Sequence, residues 1–117
     1  MKLKEVVENL GLEIRCGADR LEKEVTGGYA SDLLSDVMAN TRAGELWVTL
    51  QVHQNIVAVA SLNDLAGIIL VNSREPEDVT LRKAEEEGVV LMVSPLSTFE
   101  VAGRLFQMGV RAGNESA

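Results

Sequence analysis

Gly67-Ile68-Ile69-Leu70-Val71 and Val89-Val90-Leu91-Met92-Val93 decide the fold, together with the stretch between them. Both runs are continuously apolar and rich in β-branched residues. A strand reads this way when both of its faces are covered, as in a parallel sheet with helices on either side. Between the runs, residues 77–87 read as a helix. Pro76 precedes it, Glu77 and Asp78 lie in its electropositive first turn, and Gly88 closes it. A strand, a helix and a second strand at this spacing make a βαβ unit with a right-handed crossover.

The alternation continues on both sides of that unit. Residues 46–50 read as a strand and 52–65 as a helix. Residues 25–29 read as a short strand through the Gly27-Gly28 pair, followed by a helix over 31–41 with Leu33, Leu34, Val37 and Met38 inward. After Val93 comes a helix over 98–108, closed by Gly109. Ser97 and Glu100 have the spacing of a capping box, and Leu96 and Val101 flank it as a hydrophobic staple. Near the N-terminus, Leu3, Val6, Val7 and Leu10 line one face of a short helix stopped by Gly11. Residues 12–16 alternate as a strand, and 17–23 read as a connection. The expected fold is α/β: a single domain over 1–110, with a mostly parallel sheet of about five strands and helices on both faces. Any antiparallel strand belongs at an edge, near Leu12 to Cys16. Residues 111–117 are small and polar and read as a flexible tail.

Composition narrows the function. The 117 residues suit one domain of ordinary size, 46% are apolar and 25% charged, and only 3% are aromatic, so the core must be aliphatic. The net charge is −7 and no basic patch stands out, which argues against a nucleic-acid partner and against attachment to an anionic membrane. No secretory leader and no spanning apolar run is legible, so a cytoplasmic location is expected. The single cysteine, Cys16, allows no internal disulfide, and no cysteine pair supplies ligands for zinc or an iron–sulfur cluster. No glycine is followed by lysine, so a P-loop is absent, and no dinucleotide fingerprint follows a strand. No serine or cysteine stands beside an obvious base. No cofactor or metal is expected.

Ligands of parallel sheets bind beyond the carboxyl ends of the strands. Four polar strand-to-helix junctions are assigned to that rim, starting at Gly27, Thr49, Asn72 and Ser94. The candidate ligand-binding residues are Thr26, Gly27, Gly28, Ser31, Asn72, Ser73, Arg74, Ser94 and Ser97, with helix N-terminal N–H groups as the main donors to an anion. The same serines serve equally well as helix caps, and Gly27-Gly28 as a pair that tolerates unusual backbone angles. His53, at a polar helix start, reads as a solvated or capping residue, and Cys16 and Trp47 as core residues. Asp32 and Asp36, one helical turn apart, read as facing solvent, as does the charged run 82–87.

The segment Glu24-Val25-Thr26-Gly27-Gly28-Tyr29-Ala30-Ser31-Asp32-Leu33-Leu34-Ser35-Asp36-Val37-Met38 resembles the signature of the DRTGG domain. Residues 52–60, Ser73-Arg74-Glu75-Pro76 and residues 95–102 carry the likeness onward, over about residues 5 to 110. Thr26, Gly27 and Gly28 match the name-giving motif, whereas Glu24 stands in place of its aspartate and Val25 in place of its arginine. The resemblance implies an α/β fold like the N-terminal domains of bacterial HPr kinase/phosphorylase and of Mur ligases. That family also accompanies phosphotransacetylases and lies between CBS domains in regulated pyrophosphatases, which implies a role in regulation or oligomerisation. The phosphate-binding loop of the kinase has no counterpart here, so kinase activity is not implied. Together these readings predict a non-catalytic regulatory module that binds a small anionic metabolite or nucleotide at the rim and self-associates as a homodimer. The alternative is a structural adaptor that docks onto a larger metabolic or redox enzyme without a small ligand.

Overall fold

A computed structural model describes residues 1–113. Five strands form one sheet: β1 (Glu13–Cys16), β2 (Gly27–Ala30), β3 (Glu45–Thr49), β4 (Gly67–Leu70) and β5 (Leu91–Val93). Their order across the sheet is β1-β5-β4-β3-β2. The pairs β2–β3, β3–β4 and β4–β5 are parallel, and β1 runs antiparallel to β5 at the edge, as the sequence implied.

The helices are α1 (Leu3–Leu10), α2 (Leu34–Asn40), α3 (Asn55–Leu62), α4 (Asp78–Glu87) and α5 (Thr98–Gln107). Strand alternation sends Leu46, Val48, Ile69 and Met92 to one face, where they pack with Leu3, Val6, Val101 and Leu105 of α1 and α5. Trp47, Ile68, Leu70 and Leu91 point the other way, against Val37, Ile56, Val57 and Ala84 of α2, α3 and α4. This double coverage is why the central strands show no polar alternation. Gly11 and Gly88 end α1 and α4 in the left-handed conformation, with φ of 63° and 72°. At α5, Ser97 Oγ accepts from the Glu100 N–H at 3.2 Å, so the Ser97 half of the expected capping box forms.

Two helices start later than the pattern suggested, because side chains hold the preceding residues outside them. Ser31 Oγ accepts from the Leu33 N–H, which leaves Leu33 at the cap and α2 beginning at Leu34. Only Val37 of the expected inward set is fully buried and Leu34 is half-buried, while Leu33 and Met38 are 64% and 46% exposed. Each helical residue turns about 100° from the last, so a seven-residue helix presents one residue pair to the sheet and turns Met38 away. The Val52 carbonyl accepts from the buried Thr80 hydroxyl at 2.7 Å and from the Glu77 N–H, tying it to α4 rather than to α3.

Residues 110–113 run alongside the outer edge of β2. The Gly28 N–H donates to the Arg111 carbonyl at 2.9 Å. The first part of the expected tail therefore covers a sheet edge, and residues 114–117 lie outside the described residues.

Candidate functional site

The rim at the carboxyl ends of β3, β4 and β5 is built from three connections, and backbone bonds stitch two of them together. Asn72 N–H donates to the Leu96 carbonyl and Ser73 N–H to the Ser94 carbonyl, both at 2.9 Å. To make these bonds Asn72 and Ser73 both take left-handed backbone angles, with φ of 55° and 56°. Consecutive non-glycine residues in that region are strained, and the cross-links to the neighbouring loop hold them there. Ser94 is fully buried and its Oγ accepts from the Leu96 N–H at 3.1 Å. The structure thus brings Asn72, Ser73, Arg74, Ser94 and Ser97 together.

Most of the N–H groups expected to face a ligand are already used. Those of Asn72, Ser73 and Arg74 go to backbone carbonyls, the Ser31 N–H donates to the Val48 carbonyl, and the Ser94 N–H to the Leu70 carbonyl. What points outward is side chain: Asn72, Ser73 and Arg74 are all exposed. Arg74 has no ion-pair partner among the described residues. The adjacent Glu75 is occupied by Arg15, with Nε–Oε1 at 2.7 Å and Nη2–Oε2 at 2.8 Å. That bidentate pair holds the Glu75 carboxyl below its ordinary pKa and raises the Arg15 guanidinium above its own.

Ser31 lies further along the rim, at the end of β2. Its carbonyl accepts from the indole N–H of the fully buried Trp47 at 2.8 Å. Beside it, Asp32 is exposed, as expected of it, and is a tether as well. Its Oδ1 accepts from the buried Thr49 hydroxyl at 2.8 Å and from the Leu50 N–H at 2.7 Å, locking the ends of β2 and β3. Asp36 is also engaged, accepting from the Tyr29 hydroxyl at 2.9 Å and the Asn40 amide at 2.9 Å. The Ser31 and Tyr29 hydroxyls and the Asn40 amide hold its carboxyl below the ordinary value, and Asp36 in turn raises the Tyr29 phenol.

Thr26, Gly27 and Gly28 do not reach this rim. Gly27 pairs with Glu45, the first residue of β3, so the motif sits at the opposite end of the parallel strands. The five-residue length of β3 separates the two ends by about 13 Å. Thr26 is a clamp on the preceding loop: its N–H donates to the Gly44 carbonyl and its hydroxyl to the Ala43 carbonyl. Neither motif glycine has a positive φ. Their need is space: a Cβ on Gly27 would lie 2.7 Å from the Gly113 backbone and 2.8 Å from the Arg111 carbonyl oxygen. The name-giving residues therefore seat the 110–113 segment. A cavity of about 350 Å³ opens here, lined by Val25, Thr26, Gly27, Val110 and Arg111 among others. A strand read from Val25 begins two residues before β2 does, and it places the Gly27-Gly28 pair toward the carboxyl end, whereas the pair opens the strand.

The remaining singled-out residues are structural. His53 Nδ1 accepts from the Asn55 N–H at 3.2 Å, a cap on α3. Cys16 is half-buried against the second core, and burial, then the nearby Glu85, pushes its thiol pKa up, so it stays protonated at neutral pH. No helix among the described residues is long and apolar enough to cross a membrane.

A five-stranded, doubly covered sheet with a stitched rim and engaged carboxylates defines a small α/β module. The DRTGG domain matches residues 5–108, and the chain belongs to that family. Among solved structures it is similar to the CBS and DRTGG domains of the regulatory region of Clostridium perfringens pyrophosphatase, complexed with its activator, diadenosine tetraphosphate. The two share 11% identity with a TM-score of 0.66, over 95% of this chain and 48% of that one. The likeness is one of fold, and this chain spans about half the length of that regulatory region. No curated protein sequence matches this chain.

Proposed function

We propose that this chain is a non-catalytic regulatory module that binds a small anionic metabolite or nucleotide through the exposed Asn72, Ser73 and Arg74 of the rim, a loop that the Ser94–Ser97 connection holds in place. The observation that carries this reading is Arg74. It is an exposed cation beside two strained, cross-linked residues, and its neighbouring acid is engaged by Arg15. In a chain of net charge −7, a fixed loop offering a guanidinium, a hydroxyl and an amide suits a phosphate or carboxylate better than it suits a cation. The membership in the DRTGG family supports a regulatory role, as does the likeness in fold to a pyrophosphatase regulatory region that binds a nucleotide activator. The engaged carboxylates and protonated Cys16 thiol support the absence of catalysis.

The test is thermal denaturation of the full chain against nucleotides and phosphorylated metabolites at millimolar concentration. A ligand is expected to raise Tm by mass action in the native chain and to lose that effect in Arg74→Ala. Unchanged melting across the panel, or an equal rise in Arg74→Ala, overturns the rim reading.

A second reading, self-association, has its own support. Phe99 and Phe106, the two phenylalanines of the chain, are 87% and 59% exposed on α5. Aromatic side chains left in water on one helix face favour a module that works by contact with another protein surface.

A further inference from the structure

We infer that α5 is the contact between two copies of this chain, packed antiparallel about a twofold axis at the level of Ala102 and Gly103. This rests on the self-association reading and names its surface. Phe99, Ala102, Gly103 and Phe106 are all exposed and stand at i, i+3, i+4 and i+7, one stripe along the outer face of α5. The stripe is not explained by the fold of one copy. A Cβ on Gly103 would meet nothing within 4 Å, so nothing in the monomer requires a glycine there, in a helix interior where glycine is disfavoured. A shallow hollow of about 230 Å³ lies over Gly103, walled by Phe99, Glu100, Arg104 and Gln107. A missing side chain at the crest of a helix lets a second helix approach closely.

The charges around the stripe select a second copy as the occupant. Glu100 and Arg104 lie on the same flank of α5, and neither has an ion-pair partner among the described residues. A twofold axis midway between them sets Glu100 of one copy against Arg104 of the other, twice. The same axis sets Phe99 of each copy against Phe106 of the other, because 99 and 106 are equally spaced about Ala102 and Gly103. One axis thus satisfies the aromatic and the charge pattern together, which is what an isologous contact demands. Phe106 is held ready for it: the Arg111 guanidinium stacks 3.6 Å from its ring centroid.

The experiment is sedimentation equilibrium of the full chain with charge swaps. The native chain is expected to be a dimer at tens of micromolar. Glu100→Arg alone and Arg104→Glu alone each replace two attractive pairs with two repulsive ones, and each is expected to raise the dimer Kd about tenfold or more. The double swap restores both pairs and is expected to dimerise like the native chain, and an equimolar mixture of the two single variants is expected to form mixed dimers. Phe99→Glu is expected to give a monomer with an unchanged circular dichroism spectrum. A monomeric native chain overturns self-association altogether. A native dimer that both single swaps and Phe99→Glu leave intact overturns the α5 contact while self-association stands.

Discussion

Removing the Asp32 carboxylate is expected to loosen the end of the sheet far more than its exposed position suggests. Asp32 Oδ1 accepts two hydrogen bonds, from the Thr49 hydroxyl at 2.8 Å and the Leu50 N–H at 2.7 Å. Thr49 is fully buried, so in Asp32→Ala its hydroxyl proton has no ready substitute acceptor. Leaving such a donor unpaired costs about 1–3 kcal/mol. The Leu50 N–H is near the surface, and water replaces much of that bond, so it adds about 0.5–1 kcal/mol. The expected loss is about 1.5–4 kcal/mol, a large share of the roughly 5–15 kcal/mol typical of a domain. Asp32→Asn keeps an oxygen acceptor and loses the charge, and about 1 kcal/mol is expected. The assay is urea unfolding followed by fluorescence of Trp47, the sole tryptophan, whose indole bonds the adjacent Ser31 carbonyl. With a slope of about 2 kcal/mol per molar, the midpoint of Asp32→Ala should fall by about 0.75–2 M. A midpoint within about 0.25 M of the native chain, at the same slope, would refute the tether.

The glycines separate in the same assay. Gly27→Ala places a methyl against the backbone of residues 111 and 113 and is expected to destabilise by about 1–3 kcal/mol. Gly103→Ala meets open space and is expected to stabilise the monomer by up to about 1 kcal/mol. The Tyr29–Asp36 bond gives a pH signature. Because the folded Asp36 pKa is lowered, its contribution is present above the unfolded carboxylate value of about 3.9 and is lost as pH falls through the lower folded value. The stability gap between the native chain and Tyr29→Phe should therefore be full at pH 7 and shrink below about pH 4, as read from urea midpoints across that range. A gap independent of pH counts against the bond.

Local sequence was a good guide wherever one element explains itself. Gly67 to Val71 and Val89 to Val93 announce strands covered on both faces, Gly11 and Gly88 stop helices, and Ser97 caps α5. Those features depend on a residue's own backbone preference or on neighbours within one turn. The end of the sheet on which a motif lies depends on partners far along the chain. The short, glycine-rich strand β2 carries little local signal, and pairing with Glu45 to Val48 sets where it starts. With β2 starting at Gly27 rather than Val25, Thr26-Gly27-Gly28 lie at the amino end of the strand, and the candidate ligand loop becomes the seat for residues 110–113. Asp32 follows the same rule, since its donors Thr49 and Leu50 stand at the end of β3, 17 and 18 residues along the chain. By itself the sequence determined an aliphatic, doubly covered parallel sheet and the helices that cover it. The tertiary structure alone decided which polar groups remain free, because a hydrogen bond made to a distant backbone consumes a donor that the residue's own neighbours leave open.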